Sequence, residues 1–537
     1  MSIKTCGKII PEILEGYGTE IIFGIPGVHN IEMYGGLPQT HIQHITPRHE
    51  QGAGFMADGY ARASGKPGVC FIITGPGMTN IATAMAQAMQ DSIPLLVISS
   101  VNSNHQLALG EGRLHELPDQ LALTSQVSVY NHRLTDVNNL PKVIARAFSI
   151  FTSQRPGPVH IEIPLDVLKQ DASHIDTTPW PLPDSPTASI TAIKPAVELL
   201  SSAQRPLMII GGGAVGAAEP IVQVAEYFNI PVLNTNNGKG IVPSSHPLQV
   251  GATPSLECLR EELENQADVI LAIGTEFSET DYDFFFLGDL NINGKVVRID
   301  IDMSQLFSNV KPDIPLLGDA NKIMQLIATE ISQYSTPQTP NNQRAAQLKS
   351  SAITHRDKNY QAFFDTITAT VPEAIIVGDS TQPTYFAQAF YECEKPRRYF
   401  HSATGFGTLG YAFPATVGAK LAQPNLPVIG LIGDGGGQFT VNELASAVGI
   451  NADITFIVWN NSGYGEIKRF MNEQDIPAIG VDIYTPSYAN LAREYGFQSW
   501  LVESMSDFSE KLALAIEHRG PSLIEIKESG VVSNFPF

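Results

Sequence analysis

Cysteine is scarce in this sequence, with only four residues among 537. None has a neighbour at the short spacing typical of metal-binding or redox motifs, which argues against a disulfide scaffold and a cysteine-ligated metal. Reduced, buried thiols are therefore the expected state of the cysteines. They are Cys6, Cys70, Cys258 and Cys393.

Long hydrophobic runs are also missing. No apolar segment is long enough to span a bilayer, and the first residues have the pattern of an amphipathic helix rather than of a signal peptide. We therefore expect a soluble, cytoplasmic protein with no membrane-bound part.

Basic residues are few relative to acidic ones. The chain has 33 Lys and Arg against 54 Asp and Glu, giving a formal net charge of -21. Such an excess of negative charge argues against binding to nucleic acids or to anionic membranes. It mildly favours a cationic substrate, although many soluble enzymes are acidic without binding one.

The remaining composition predicts a large, well-packed α/β protein. Hydrophobic residues make up 43% of the chain, and the length suits about three domains. Strand-like runs alternate with helical segments, which predicts three domains, each with a mainly parallel sheet flanked by helices. We set the domains at 1–175, 190–332 and 345–537, with proline-rich linkers at 180–188 and 335–342. Strand-like runs lie at 20–23, 69–74, 95–99, 159–163, 206–211, 231–234, 269–274, 296–301, 374–378, 426–432 and 454–459, and a helix is predicted over 345–368.

Two polar turns follow neighbouring strand-like runs in the last domain. Gly433, Asp434 and Gly435 come after the run at 426–432, and Asn461 comes after the run at 454–459. The carboxyl ends of parallel strands are where open α/β sheets usually bind ligands. A carboxylate and an amide oxygen suit Mg²⁺, which takes phosphate oxygens as further ligands. Taken separately, an ordinary turn and a helix cap are the alternatives.

A second candidate is the carboxylate in His49-Glu50-Gln51-Gly52-Ala53, which leads into a helical stretch at 55–63. Glu50 in the first turn of a helix is electrostatically favoured by the helix dipole without any catalytic role. Its motif and the two turns at 433–435 and 460–463 together resemble the thiamine-diphosphate-dependent enzymes, most closely the acetolactate synthase and benzoylformate decarboxylase branch.

This resemblance implies a pyrimidine-binding, a middle and a diphosphate-binding domain, with thiamine diphosphate and Mg²⁺ as cofactors. The implied metal ligands are Asp434, Asn461 and the Gly463 carbonyl. Glu50 is then the carboxylate that shares a proton with the aminopyrimidine ring, so that the cofactor forms its ylid. The Gly407 carbonyl accepts a hydrogen bond from the exocyclic amine, and Leu409 lies between the two rings. Further cofactor-binding positions are Thr74, Gly75, Asn80, Ser380, Thr381, Gln382, Gly433, Gly435, Gly436 and Tyr464.

Two histidines lie in segments that the resemblance places near the reacting centre. His29 follows a glycine-proline turn and is either a polar catalytic group or a turn cap. His115 lies in a loop at 110–118 and is either a general acid and base or an exposed loop residue.

The family also implies that each active site takes its two sides from different subunits, so we expect a homodimer or homotetramer. By the same resemblance, the expected reaction begins with decarboxylation of a 2-oxo acid, and the resulting enamine is either protonated or joined to a second carbonyl compound. The acidic segment at 274–283 makes FAD binding doubtful, which favours simple decarboxylation over acetolactate synthesis. A catalytically silent paralogue is a third hypothesis, but such a chain is expected to lack Glu50.

The segments at 25–29 and 110–118 most resemble the 5-guanidino-2-oxopentanoate (2-ketoarginine) decarboxylases of arginine catabolism. A desolvated guanidinium group requires a paired carboxylate. The candidates for that partner, each of which is alternatively a surface charge, are Glu111, Glu116, Asp281, Asp283 and Glu466.

Overall fold

The computed structural model describes residues 4–251, 253–334, 342–355 and 357–531. These residues form two compact units, which are described separately. The first contains the described residues within 1–183, 370–381 and 401–537, and the second contains the described residues within 184–369 and 382–400. The predicted linker at 335–342 lies outside the described residues, apart from residue 342, which begins a helix.

The first sheet contains six strands in the order β2-β1-β3-β4-β6-β5, counted over the described residues. Its paired strands are all parallel, and β4 is buried along its whole length, as expected for a sheet covered on both faces. The strands are β1 Ile21–Gly24, β2 Gln43–Ile45, β3 Gly68–Ile72, β4 Leu95–Val101, β5 Tyr130–Arg133 and β6 Pro158–Pro164. The helices are α1 Cys6–Gly16, α2 Ile31–Tyr34, α3 Glu50–Ser64, α4 Pro76–Gln90, α5 Gln120–Ser125, α6 Leu140–Ser153 and α7 Leu165–Leu168.

The second unit is built on a parallel sheet with the strand order β11-β10-β9-β7-β8. Buried aliphatic side chains of this sheet and its helices form two apolar clusters, one on each face. The strands are β7 Pro206–Ile210, β8 Val232–Asn234, β9 Val269–Ile273, β10 Lys295–Asp300 and β11 Ile314–Leu317. The helices are α8 Ile190–Ser202, α9 Ala218–Phe228, α10 Glu257–Glu261, α11 Glu279–Tyr282, α12 Phe284–Leu287, α13 Ala320–Glu330, α14 Asn342–Ile353 and α15 Lys358–Thr370.

The third sheet has the strand order β13-β12-β14-β15-β17-β16. Asp434 and Asn461 each follow a strand, as predicted, and these two strands, β14 and β15, are adjacent and parallel. The strands are β12 Ile375–Gly378, β13 Tyr399–His401, β14 Val428–Gly433, β15 Thr455–Asn460, β16 Gln498–Val502 and β17 Ser522–Lys527. Helix α16, Gln382–Phe390, belongs to the second unit. The other helices of this part of the chain are α17 Ala412–Ala422, α18 Asp434–Gly437, α19 Leu444–Gly449, α20 Gly465–Glu473, α21 Tyr488–Tyr495, α22 Met505–Glu517 and α23 Glu528–Val531.

Helices α3 and α17 cross at very short distance inside the first unit. A Cβ atom on Gly59 would lie 2.1 Å from the Ala415 oxygen, and one on Gly418 would lie 1.9 Å from the Met56 oxygen. Since no side chain fits at either position, glycine is required for the two backbones to approach this closely. The crossing fixes helix α3, which begins at Glu50, against the part of the chain that carries the third sheet.

The prediction of three mainly parallel sheets is confirmed, but the single helix predicted over 345–368 is wrong. Two helices, α14 and α15, are present instead. The first ends in turn hydrogen bonds from Thr354 to Ser351, and the Asp357 carboxylate accepts from the amide of Asn359, at 2.7 Å, as the second begins. A capping carboxylate of this kind starts a new helix rather than continuing an old one.

The four cysteines are free thiols, and three of them are buried, as expected, whereas Cys258 is half-buried. Burial raises the pKa of the Cys6 thiol to about 12, so this group stays protonated. In the described part of the chain, no helix combines the length and the apolar character needed to cross a membrane.

Candidate active site

Glu50 is the first residue of α3, and the preceding residue, His49, caps the helix by accepting from the Gln51 amide at 3.2 Å. The Asn80 side-chain amide donates to Glu50 Oε2 at 2.9 Å. The other carboxylate oxygen, Oε1, would lie 3.4 Å from a Cβ atom on Gly77, and no described residue donates a hydrogen bond to it. One oxygen of Glu50 is therefore fixed by the protein, while the other is available to a ligand.

The turn before α4, at Thr74 and Gly75, is hydrogen-bonded to Gln120, a buried residue that was not predicted. The Gln120 Oε1 atom accepts from Thr74 Oγ1 at 3.0 Å and from the Gly75 amide at 3.3 Å. Its Nε2 atom donates to Ser99 Oγ, to the Ser100 carbonyl and to Glu162 Oε2 at 3.0–3.1 Å. A glutamine at the start of the short helix α5 belongs to no motif, so no local signal marks it.

Gly75 must be glycine for two reasons. Its φ angle is +71°, in the left-handed region, and a Cβ atom there would lie 2.6 Å from the carbonyl oxygen of His115. His115 itself adopts a φ of +58°, which is strained for a residue with a side chain. The Thr74–Gly75 turn and the His115 loop are therefore in direct contact, and each fixes the position of the other.

His29 and His115 are brought together by this contact. Their ring centroids are 5.2 Å apart, and the Nδ1 atom of each is buried without a hydrogen-bond partner among the described residues. Burial, followed by repulsion from His115, lowers the pKa of His29. The turn is capped not by His29 but by Asn30, whose Oδ1 accepts from the Gly27 amide at 2.7 Å. Two imidazoles with free nitrogen atoms therefore face each other beside the Thr74–Gly75 turn.

The carboxylate predicted to bind metal lies where β14 ends. Asp434 is almost completely buried, and its Oδ1 atom accepts from the Asn461 backbone amide at 3.2 Å. Burial raises the pKa of Asp434, against the hydrogen bond that Thr485 donates to Oδ2 at 2.8 Å. Tyr488 donates to the Asp434 carbonyl at 2.7 Å. Thr485 and Tyr488 were not predicted, because they come more than 50 residues later in the chain.

The donor set around Asp434 fits a divalent cation. One terminal atom of the Asn461 amide lies 3.0 Å from the Gly463 carbonyl and 3.1 Å from Asp434 Oδ1. With nitrogen at that position, the amide donates to both neighbours. With oxygen there, three oxygen atoms surround one point, which is the arrangement that Mg²⁺ stabilises. The predicted residues Asp434, Asn461 and Gly463 can therefore hold a hard cation.

The glycines after Asp434 lie against several predicted cofactor-binding residues. A Cβ atom on Gly433 would lie 3.1 Å from Thr381 Oγ1. One on Gly435 would lie 2.7 Å from the Tyr464 ring, and one on Gly436 would lie 3.4 Å from Leu409. Such a side-chain-free surface at the start of helix α18 lets a phosphate group approach the backbone amides. A Cβ atom on Gly436 would also lie 3.2 Å from Asp379 Oδ1, so there is little room for a side chain at this position.

Asp379 connects this surface to the segment that contains Gly407. It is fully buried, and its carboxylate accepts from the amides of Ser380, Gly410 and Ala412 at 2.9–3.2 Å. Burial raises its pKa to about 6. Gly407 is exposed with a φ of +67°, and Leu409 is half-buried next to Gly436. The predicted residue Gln382 begins helix α16.

The acidic residues predicted to bind a cationic substrate all lie in loops or at helix ends. Glu111 pairs with Arg113 at 3.0 Å, and Glu466 pairs with Arg469. Glu116 instead accepts from the backbone amides of Gly110 and Arg113, at 2.8 and 2.9 Å.

Two further candidates belong to the second unit. Asp281 accepts from the backbone and side-chain amides of Asn236, both at 2.9 Å. Asp283 follows helix α11 with a φ of +54°. Asp281 therefore has a structural role in the loop after β8.

Comparison with known proteins agrees with this geometry. Three family profiles match the chain: the N-terminal TPP binding domain of thiamine pyrophosphate enzymes at residues 4–123, their central domain at 193–327 and their C-terminal TPP binding domain at 379–526.

Relatives match along almost the whole chain. A protein of Pseudomonas aeruginosa named probable 2-ketoarginine decarboxylase is 39% identical over 98% of this chain and 94% of its own length. A probable acetolactate synthase large subunit of Methanocaldococcus jannaschii is 32% identical over 97% and 91%. The acetolactate synthase isozyme 1 large subunit of Escherichia coli is 30% identical over 97% and 94%. The chain belongs to the thiamine pyrophosphate enzyme family.

Proposed function

We propose that this protein catalyses the non-oxidative decarboxylation of a 2-oxo acid, with 5-guanidino-2-oxopentanoate as its substrate and 4-guanidinobutanal and carbon dioxide as products. The observation that carries the proposal is the pair of preformed groups: Glu50 with one oxygen fixed by Asn80, and Asp434 with converging oxygens of Asn461 and Gly463. The likeness to a protein named a decarboxylase, at 39% identity, supports the reaction type.

The chain's own residues suit the binding of thiamine diphosphate and Mg²⁺. Asp434, Asn461 and the Gly463 carbonyl would hold the cation, and the amides at 433–436 would face the diphosphate. When bound, thiamine diphosphate would supply a carbon nucleophile and an electron sink for the electron pair that stays behind when carbon dioxide leaves. Glu50 Oε1 would hold and exchange the proton of a ring nitrogen, and the carbonyl of Gly407, an exposed residue, would accept a hydrogen bond from the ligand.

The two histidines provide the polar face for the substrate. Because burial lowers its pKa, His29 is neutral at neutral pH, so it can accept a hydrogen bond and then a proton. His115 stands 5.2 Å away, centroid to centroid, with its Nδ1 atom likewise unpartnered among the described residues. We assign this pair to the proton transfers that follow loss of carbon dioxide.

The choice of a guanidinium substrate is supported by acidic residues that already bind guanidinium groups of the protein. Glu111 contacts Arg113, and Glu466 contacts Arg469. The same carboxylates can exchange an internal arginine for a substrate guanidinium, since both present two oxygens for paired hydrogen bonds. The weaker candidates are Glu116, Asp281 and Asp283. The carboxylates of Glu116 and Asp281 already accept hydrogen bonds from backbone amides, so they are less available to a substrate.

An acetolactate synthase-type carboligase is the second candidate, and its support is the 30–32% identity to proteins with that name. A benzoylformate decarboxylase-like enzyme of other specificity is a third. We propose that the protein works without FAD. The Asp281 carboxylate, which accepts from the Asn236 amide, places a negative charge at the loop after β8, and this charge would repel an anionic cofactor.

The assembly proposed is a homodimer or homotetramer with active sites shared between subunits. We divide the chain into a pyrimidine-binding domain at 1–175, a middle domain at 190–332 and a diphosphate-binding domain at 345–537. A cytoplasmic location and a role in arginine catabolism complete the proposal.

The experiment that tests the proposal measures carbon dioxide release with thiamine diphosphate and Mg²⁺ supplied. The substrates are 5-guanidino-2-oxopentanoate, pyruvate and benzoylformate, and acetolactate is measured in parallel. We expect the highest kcat/KM with 5-guanidino-2-oxopentanoate and no acetolactate from pyruvate. Rapid acetolactate formation would replace the proposal by the carboligase, and preference for benzoylformate would replace it by the third candidate.

A further inference from the structure

Gln87 lies on helix α4 and is completely buried. Its Oε1 atom accepts from Thr408 twice, from the backbone amide at 3.1 Å and from the hydroxyl at 2.8 Å. Its Nε2 atom donates to the Thr404 carbonyl at 3.3 Å and to Asp91 Oδ2 at 2.6 Å. All the polar atoms of this side chain are therefore engaged, and three of the four hydrogen bonds go to one distant segment.

That segment, residues 404–408, is fastened at its two ends and protrudes between them. Thr404 also donates from its hydroxyl to Asp91 Oδ1 at 3.2 Å. Gly405 and Gly407 both have positive φ angles, of +57° and +67°, while Phe406 and Gly407 are exposed. Gly405 and Gly407, on either side of Phe406, give this three-residue bulge a flexible backbone. Its shape therefore depends on the anchors at Thr404 and Thr408 and on one turn hydrogen bond, from the Gly407 amide to the Thr404 carbonyl at 3.1 Å.

The same helix also contacts the carboxylate that we propose to be catalytic. Asn80 lies near the start of α4 and donates to Glu50, and Gln87 follows seven residues later. Seven residues are about two helical turns, so both side chains project from one face of the helix. Helix α4 thus connects the carboxylate at Glu50 to the segment that presents the Gly407 carbonyl and Leu409.

We propose that Gln87 is a positioning residue that sets the conformation of residues 404–408, and through it the affinity for thiamine diphosphate. This inference rests on the proposed function for the identity of the ligand. Without the amide of Gln87, the Thr408 amide and the Thr404 carbonyl lose a buried partner, and the segment samples conformations in which Gly407 no longer faces the ligand. Only the molecules in the competent conformation then bind the ligand, so the observed Kd rises in inverse proportion to their fraction.

The test uses Gln87→Leu, which keeps the volume and removes every hydrogen bond. Gln249→Leu is the matched control, because Gln249 is also buried and also hydrogen-bonded, to the Val242 carbonyl at 3.2 Å and the Gly251 amide at 3.3 Å, but in the second unit. Two quantities are measured on each full-length variant. Amide hydrogen exchange of residues 404–409 is followed without added ligand, and the Kd for thiamine diphosphate is measured by calorimetry at saturating Mg²⁺.

For Gln87→Leu we expect exchange at 404–409 to become about tenfold faster and the Kd to rise about tenfold, the effect of losing one net hydrogen bond. Both variants lower the melting temperature, but Gln249→Leu leaves the exchange at 404–409 and the Kd unchanged. A merely structural role of Gln87 predicts the same behaviour for both variants, and that result would overturn the proposal.

Thr408→Val serves if Gln87→Leu does not fold, since it removes only the hydroxyl that donates to Gln87. It should raise the Kd by a smaller factor, about threefold. Faster exchange with an unchanged Kd would overturn the link to the ligand. If the wild-type protein itself fails to bind thiamine diphosphate, the proposed function fails, whereas the exchange data still decide whether Gln87 positions residues 404–408.

Discussion

Replacing Gln120 by leucine tests whether the Thr74–Gly75 turn is held in place from the protein interior. Gln120 accepts from the Gly75 amide and donates to the buried carboxylate of Glu162. Leucine fills almost the same volume but forms neither bond. The Gly75 amide then loses its only side-chain acceptor among the described residues, and Glu162 keeps Arg133 as its remaining charged partner.

The cost follows from these two losses. A buried polar group that loses its partner costs about 1–3 kcal/mol, and a hydrogen bond to a charged group contributes about 1.5–3 kcal/mol. We therefore expect Gln120→Leu to lower the free energy of unfolding by about 3–5 kcal/mol. Because the Gly75 turn contacts the His115 backbone, we also expect kcat for decarboxylation to fall by up to about hundredfold, the cost of misplacing a catalytic group by about 1 Å.

The free energy of unfolding is measured by urea denaturation. Native-state hydrogen exchange is measured as well, because it reports the stability of the first sheet separately from that of the rest of the chain. Gln126→Leu is the control, since Gln126 is exposed just beyond the same helix and should change stability by less than about 0.5 kcal/mol. Equal stability and equal activity of the two variants would refute the reasoning about the turn.

Three further predictions concern the cation, acid stability and the substrate. Wild-type protein should melt at a higher temperature when Mg²⁺ and thiamine diphosphate are added, because a ligand that binds only the folded state stabilises it, and Asp434→Asn should show no such rise. Burial lowers the pKa of His160 to about 3, so the folded protein leaves this residue neutral while the unfolded chain binds a proton below about pH 6.5. Stability should thus fall between about pH 6.5 and 3 by about 1.4 kcal/mol per pH unit from this group, and urea titrations of His160→Gln should lack that slope. Glu111→Gln should raise KM for 5-guanidino-2-oxopentanoate about tenfold, because one charged contact to the substrate is lost, and should leave KM for pyruvate unchanged. An equal rise of KM for both substrates would count against guanidinium binding at Glu111.

The sheets and the two ends of the site could be predicted because their signals are local. A strand of a parallel sheet that is buried on both faces is a continuous apolar run in the sequence. The apolar run at 426–432 therefore predicts a strand, and the structure has strand β14 at Val428–Gly433. The same pattern places Asp434 and Asn461 directly after two strands, and the pairing of β14 with β15 in the structure brings the two residues together.

The residues that hold the site in place could not be predicted, because their partners are distant in sequence. Gln87 reaches Thr408 across more than 300 positions, and Thr485 reaches Asp434 across 51. A buried glutamine or threonine has no periodicity or spacing that separates it from any other polar residue of a helix or loop. The break between α14 and α15 was missed for a related reason, since one capping aspartate, Asp357, outweighs the helical pattern around it.

The proton relay through Glu50 is the central claim, and one measurement tests it most directly. Glu50→Gln keeps the shape and the hydrogen bond from Asn80 but removes the proton-accepting charge. Carbon dioxide release from 5-guanidino-2-oxopentanoate, with thiamine diphosphate and Mg²⁺ saturating, should fall at least about hundredfold. Glu494→Gln, the same change on the exposed face of α21, should retain full activity. Equal activity of the two variants would contradict the assignment of Glu50.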